Sequence, residues 1–195
     1  MKILVLGITG MLGSAVFKAL CESKQFQVWG SQRSVSCHPK LAALPSAGIL
    51  TGVDVLDQDT LVNTFAKVKP DVVINCVGLI KQLEQANDPL SVLPINAMLP
   101  HRLLRLCSLV GARLVHISTD CVFNGKKGNY LESDPSDAED LYGRSKYIGE
   151  LTDSPSAITL RTSIIGHELG TSFALLEWFL AHSQLTSAWV QKWVR

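Results

Sequence analysis

Tyr142 stands four residues before Lys146 in LYGRSKYIGE, residues 141 to 150. Side chains spaced by four lie on one face of a helix, near enough to interact. The pair suits an acid with its electrostatic partner, and it equally suits an ordinary helix start, so the surrounding elements must decide. A second feature is the turn GITGMLG, with Gly7, Gly10 and Gly13 in the pattern G-x-x-G-x-x-G. Small residues there let the backbone turn sharply, approach a pyrophosphate and pack a helix close to a sheet. The helix N-terminus adds unpaired N–H groups and a positive dipole end. Thr9, Met11 and Leu12 complete the turn and join the glycines as candidate cofactor contacts. An apolar run before the turn and helical spacing after it favour this reading over a plain glycine turn.

In such folds the dinucleotide is chosen at the end of the second strand, where a carboxylate would grip the ribose 2′-OH of NAD. This chain has Gln32, Arg33 and Ser34 there. An Arg can pair with a 2′-phosphate and Ser34 can add a hydrogen bond, which favours NADP(H). NADH stays open if Arg33 is only a solvated loop residue.

The elements that would carry these residues alternate strand and helix. KILVLG (2 to 7) is a continuous apolar run, as expected for a parallel strand covered on both faces. MLGSAVFKALCES follows with Leu12, Val16 and Leu20 at helical spacing. FQVWGSQ (26 to 32) reads as a second strand, residues 34 to 47 as an irregular or weakly helical connection, and AGILTGVDV (47 to 55) as a third strand ending near Asp54. DQDTLVNTFAKV opens a helix with Asp57 as its N-cap. PDVVINCVG (70 to 78) is the next buried strand, and residues 88 to 111 are a long helical pattern in which Pro94 and Pro100 predict a break or kink. ARLVHIST (112 to 119) is a fifth strand. The polar loop 120 to 141 is long enough to suggest function. YGRSKYIGELT makes a helix, SAITLRTSII (156 to 165) a sixth strand and SFALLEWFLAH (172 to 182) a last helical pattern. The order implies an α/β protein with a doubly wound parallel sheet.

Composition narrows the partners. A chain of 195 residues, 47% of them hydrophobic, suggests one domain with or without an appendage and a sizeable core. The formal net charge of +1, with no basic block, nominates neither nucleic acid nor an anionic membrane. Cys21, Cys37, Cys76, Cys107 and Cys121 show no metal or disulfide spacing, and His167 with Glu168 adds none, so no metal is expected. MKILVLGITG is too short and too glycine-interrupted for a signal sequence, and no apolar run reaches membrane-spanning length. A cytoplasmic protein is the expectation.

Taken together, GITGMLG, NCVG (75 to 78), HISTDCVFNG (116 to 125) and YGRSK (142 to 146) resemble the extended short-chain dehydrogenase/reductase family. ISTDCVFNG with LRTSIIG (160 to 166) is most similar to the dTDP-4-dehydrorhamnose reductase group and related nucleotide-sugar reductases. The resemblance runs from Met1 to about Phe179 and implies a Rossmann fold with hydride transfer between a nicotinamide and a keto or hydroxy carbon. It makes Tyr142 the proton donor, Lys146 its partner and Thr119 the hydroxyl that orients the substrate carbonyl. Ser118, Asp120 and Cys121 become substrate-side candidates. A phenol with an ordinary pKa of about 10 becomes a useful acid-base group when a neighbouring ammonium and an oxidised nicotinamide stabilise its anion. The resemblance also implies that Lys146 bonds the nicotinamide ribose, that Asp54 with Val55 contacts the adenine, and that Asn75, Cys76, Val77 and Gly78 lie against the adenine-side ribose. Asn96 would support the site, or be a buried helix Asn satisfied by backbone. Thr119 and Asp120 could also simply cap the loop. His116 reads as a satisfied core histidine.

The chain departs from that group in two places. Cys121 stands where the group usually has Tyr. Family members continue for roughly a hundred residues beyond the sixth strand to build the substrate lobe. This sequence therefore reads as C-terminally truncated, with an NADP(H)-binding domain over 1–165 and a partial substrate-lobe segment with an atypical tail over 166–195. In that tail Trp189 and Trp193 form an apolar stripe with Val190 and Val194. It reads as an artificial end, a helix docked on its own domain, or a partner-binding surface. The leading functional expectation is an NADPH-dependent reductase of a 4-keto nucleotide-sugar in polysaccharide biosynthesis, with a homodimer compatible. The alternatives are an epimerase or dehydratase that retains NAD, and a non-catalytic dinucleotide-binding module like the regulatory subunit of methionine adenosyltransferase.

Overall fold

The computed structural model describes residues 1–44, 47–81, 87–169 and 175–181. Six strands form one parallel sheet: β1 (Lys2–Leu6), β2 (Gln27–Ser31), β3 (Ala47–Leu50), β4 (Val72–Asn75), β5 (Arg113–Thr119) and β6 (Ala157–Thr162). Their order is β3-β2-β1-β4-β5-β6, the doubly wound Rossmann arrangement, in which ligands sit beyond the strand C-termini where the order reverses.

β1 lies at that reversal, paired with β2 on one side and β4 on the other. Its alternate residues serve two cores. Leu4 and Leu6 join Val73 and Leu114 under α3 (Gln58–Val68) and α5 (Leu99–Val110). Ile3 and Val5 join Val28 and Val72 under α1 (Met11–Ser23) and the single turn α2 (Pro39–Ala42). Both faces are covered, which is why the strand reads as an unbroken apolar run.

Asp57 caps α3 as its position predicted, accepting from the Asp59 and Thr60 N–H groups. The long pattern from residue 88 is indeed interrupted. It begins as the single turn α4 (Pro89–Val92), widens into a π-helical segment over Leu93–Met98, and resumes as α5. Pro94 and Pro100 lack N–H groups and interrupt the regular ladder here, and the Leu99 N–H reaches five residues back to the Pro94 carbonyl.

Three predicted boundaries are corrected. α6 (Leu141–Ile148) stops at Gly149 instead of running to Thr152, because the Leu151 N–H leaves the helix to bond Thr159 Oγ1 on β6 at 2.9 Å. β3 ends at Leu50, and the chain turns through Gly52 at φ +70° before Asp54. β6 ends at Thr162, where its pairing with β5 runs out. The last helix, α7 (Leu175–Ala181), lies inside the predicted pattern; Trp189 and Trp193 fall outside the described residues. Among the described residues no helix is long and apolar enough to cross a membrane, and no cluster of metal-ligating side chains occurs.

Candidate active site

The glycine turn fills the step from β1 to α1. Gly7 has φ +82°, and the N–H groups of Gly7 and Ile8 both donate to the Ser31 carbonyl at 3.1 Å. A Cβ on Gly13 would stand 2.1 Å from the Gly7 carbonyl oxygen, so α1 can lie this close only with glycine there. Gly10 differs: an added Cβ would meet only the Gly7 oxygen, at an ordinary 3.6 Å. Gly10 is the N-cap of α1, and no side chain caps that end. The protein's own packing requires glycine at 7 and 13 but not at 10. Open backbone above an uncapped helix N-terminus is what an approaching pyrophosphate needs, so the turn fits a dinucleotide. Thr9 is exposed on the turn, and Met11 and Leu12 are half-buried behind it.

Beyond β2, Gln32 is buried and its Nε2 donates to the carbonyls of Ser34 at 3.0 Å and Ser36 at 2.7 Å. This pins the loop that displays Arg33 and Ser34 to solvent. Gln32 Oε1 is buried and has no hydrogen-bond partner among the described residues. Asp54 is exposed, bonding the Leu56 N–H through Oδ1, and Val55 packs on the core.

After β4 the chain crosses between the glycine turn and α6. Asn75 is fully buried; its Oδ1 accepts from the Val77 N–H at 3.1 Å, and its Nδ2 faces His116 Nδ1 at 3.2 Å. The amide of Asn75 therefore shapes the Cys76–Gly78 turn from within, which a reading of its residue type could not foresee. Asn96, in the π-helical segment, locks the next residue: Oδ1 accepts from the Leu79 N–H at 2.8 Å, while Nδ2 donates to the Leu79 carbonyl at 3.0 Å and reaches Ser145 Oγ at 3.4 Å. Cys76 and Val77 are half-buried on this segment, and the Cys76 thiol is pushed up to about 12 by burial, with Lys146 opposing.

These bonds assign the His116 tautomer: Nδ1 accepts, so the proton sits on Nε2, which is buried and has no partner among the described residues. Burial, with the Lys146 charge behind it, lowers the His116 pKa from 6.5 to about 3. Unfolded, this side chain takes up a proton far more readily than folded, so its contribution to stability is full above pH 6.5 and is lost as pH falls toward 3. Between pH 6 and 4.5 this group alone should lower the unfolding free energy by roughly 2 kcal/mol. Urea titrations of His116→Gln across that range should show this acid limb flattened.

The three catalytic candidates lie around the end of β5 and α6, Tyr142 beside Thr119 and Lys146 on the Ile117 carbonyl. Asp140 caps α6 through the Gly143 N–H at 2.7 Å. A Cβ on Gly143 would lie 2.3 Å from the Cys121 carbonyl oxygen, so glycine lets the first turn of α6 rest on the Asp120–Val122 turn. This brings the Tyr142 phenol beside Thr119. Burial pushes the phenol up from its ordinary 10.0, and the Thr119 hydroxyl acts against that rise. Thr119 is 6% exposed; its Oγ1 donates to Asp120 Oδ1 at 3.2 Å and accepts from the Cys121 N–H at 3.1 Å. Lys146 is 5% exposed, donates to the Ile117 carbonyl at 2.7 Å, and is brought from 10.5 down to about 8 by burial, with Glu150 and Cys76 opposing. Gly78 closes the cluster: a Cβ there would be 3.8 Å from Lys146 Nζ.

Ser118 turns away from this space. It is buried and donates to Glu150 Oε1 at 2.8 Å, and Arg161 grips the same carboxylate through Nε at 2.9 Å and a second guanidinium nitrogen at 2.7 Å. Glu150 and Arg161 were not foreseen as site residues, although Glu150 extends the spacing of four from Tyr142 through Lys146. Arg161 also lies 4.9 Å over the Phe123 ring, which stacks on Tyr130 at 4.2 Å, and Lys127 lies over Tyr130 at 5.7 Å. This column organises the long polar loop and leaves a cleft of about 470 Å³ between Asp120, Cys121, Leu131 and Arg161.

Fold and site define a Rossmann-type α/β protein with an open glycine turn after β1 and candidate Thr, Tyr and Lys side chains around the end of β5. Residues 1–186 match the RmlD substrate binding domain, and the chain belongs to that family. It is 28% identical over 176 residues to a dTDP-4-dehydrorhamnose reductase of Aggregatibacter actinomycetemcomitans, covering 88% of this chain and 54% of that protein. It is 27% identical over 171 residues to methionine adenosyltransferase 2 subunit beta of Bos taurus, covering 86% and 48%. The crystal structure of a dTDP-4-dehydrorhamnose reductase from Clostridium acetobutylicum superposes with a TM-score of 0.73 at 25% identity, covering 94% of this chain and 60% of that one. The chain spans about half the length of the curated relatives it matches.

Proposed function

We propose that this chain is the dinucleotide-binding and catalytic part of an NADPH-dependent reductase acting on a 4-keto nucleotide-sugar, similar to dTDP-4-dehydrorhamnose reductase. The observation that carries this reading is that Tyr142 lies beside Thr119 at the end of β5 and Lys146, one turn on, bonds Ile117 of the same strand, beyond the strand ends that also carry the open glycine turn. Residues 1–165 then form the dinucleotide-binding domain, and residues 166–195 belong with the substrate-binding part.

A bound nicotinamide would supply the hydride. Gly10 and the uncapped start of α1 would take the pyrophosphate, and Arg33 with Ser34 the 2′-phosphate. Thr119 Oγ1, turned from Asp120, would donate to the carbonyl oxygen and stabilise the charge that develops there. Tyr142 would pass its proton to that oxygen, completing addition of hydride and proton across the C=O bond. Burial suits the direction, because it keeps Tyr142 a phenol with its proton in place. Lys146 would stabilise the phenolate that remains until solvent returns a proton.

Calorimetry with NADPH and NADH tests the cofactor half. NADPH should bind at least about tenfold more tightly, and Arg33→Ala should remove that preference while leaving NADH binding alone. Equal affinities in the parent would refute the role of Arg33 and favour the NAD-retaining epimerase or dehydratase reading. The similarity to a methionine adenosyltransferase subunit supports a second reading, a dinucleotide-binding module without turnover. NADPH binding with no oxidation by any of a panel of 4-keto nucleotide-sugars would select it.

A further inference from the structure

Four exposed residues, Arg33 to Ser36, follow β2 in a run of bends that belongs to neither strand nor helix. Gln32, the residue before them, is 2% exposed. Its main chain is tied to the neighbouring strand and the turn after it: the N–H donates to the Leu50 carbonyl at 2.9 Å, and the carbonyl accepts from the Val53 N–H at 3.0 Å. From that anchored position the side chain reaches forward to the bend, where Nε2 donates to the Ser34 carbonyl at 3.0 Å and to the Ser36 carbonyl at 2.7 Å. The bend is drawn in on itself. Ser34 Oγ and Ser36 Oγ lie 3.3 Å apart, and the Ser34 carbonyl also accepts from the Gly52 N–H at 3.2 Å.

Space-filling does not explain an amide at this position. Two carbonyls demand donors, which fixes the side chain with its nitrogen toward them and its oxygen away. That oxygen is buried and has no partner among the described residues. A buried acceptor left unmet is costly, so an apolar side chain of this size would fill the same space with less penalty. What the amide alone supplies is the pair of bonds to the bend. Both are made to main chain, so they fix the path of the chain that carries Arg33 and Ser34.

We propose that Gln32 is a positioning residue for dinucleotide choice: by tying the Ser34 and Ser36 carbonyls it holds the bend in the form that presents Arg33 and Ser34 to the 2′-phosphate of NADPH. The inference rests on the proposal that those two residues take that phosphate. An Arg on a free loop must be ordered, together with its loop, when the phosphate binds; on a loop already held, less freedom remains to be lost. NADH carries only a hydroxyl at that place, so its affinity draws little on the bend.

The test pairs calorimetry of the whole chain with NADPH and with NADH to NMR relaxation of residues 33 to 36 without nucleotide, in the parent and in Gln32→Met. That substitution keeps the reach of the side chain and removes both donors. The bend should be as rigid as the strands in the parent, with order parameters near about 0.85, and should fall below about 0.6 in the variant. NADPH affinity should drop about tenfold while NADH affinity stays within about twofold, so the preference is lost with Arg33 still in place. A variant that keeps the preference for NADPH, or whose bend stays rigid, would overturn the role of Gln32 alone, as would both affinities falling alike, the mark of a purely structural role. Equal affinities in the parent would instead overturn the role of Arg33, and this proposal with it. If Gln32→Met fails to fold, the parent still decides. Side-chain amide protons of Gln32 that exchange slowly, with a rigid bend and a preference for NADPH, support the proposal; freely exchanging ones or a mobile bend refute it.

Discussion

Tyr142→Phe is expected to lower NADPH-dependent reduction at least about a thousandfold while leaving fold and dinucleotide affinity unchanged. The substitution removes one oxygen and keeps the ring that fills the space between Thr119 and the start of α6. The proton donor is lost, and no other group stands ready: Thr119 already shares its hydrogen with Asp120, and Lys146 gives one of its own to Ile117. Steady-state rates with matched calorimetry separate the effects. A loss confined to kcat assigns the acid, whereas a variant that turns over like the parent would place the proton donor elsewhere.

Gly13→Ala is expected to cost roughly 3 kcal/mol or more of stability, because its Cβ would fall 2.1 Å from a main-chain oxygen and no flexible side chain is there to yield. α1 would have to move off the sheet. Gly10→Ala should be nearly neutral in urea denaturation, since the turn has room for the methyl group. Yet it should weaken NADPH binding by at least about tenfold, because the methyl group would occupy the space a pyrophosphate requires. The pair separates glycine needed for packing from glycine needed for a ligand. Equal effects on stability at the two positions would contradict the account of the turn.

Much of the architecture could be read before any coordinates. Apolar runs at KILVL and VVIN, the helical spacing of Leu12, Val16 and Leu20, and the Asp57 cap all act through near neighbours, and local chemistry decided them. Pro94 and Pro100 announced an interruption; its π-helical form, with Leu99 reaching back to Pro94, depended on packing that the prolines alone do not specify. The end of α6 was missed because the Leu151 N–H is claimed by Thr159, eight residues on in β6, a contact that helical spacing does not show. The same limit explains Asn75, Ser118 and Glu150. A residue's type shows what bonds it can make; only the sheet register shows that Asn75 meets His116, and only the packing of the segment after α6 on β5 and β6 shows that Ser118 meets Glu150 instead of a substrate. Gly143 and Cys121, twenty-two positions apart, illustrate the point: their contact sets Tyr142 against Thr119, yet neither residue type announces it.

The central claim is hydride transfer directed by Tyr142, and isotope transfer measures it most directly. NADPH deuterated at the nicotinamide C4 is incubated with the chain and a dTDP-4-keto-6-deoxy sugar, and the product is analysed by mass spectrometry. The account predicts one deuterium on the new carbinol carbon, formed from one face of the nicotinamide only and missing when Tyr142 is Phe. Tight NADPH binding with no deuterium in any sugar product would contradict it and leave a dinucleotide-binding module in its place.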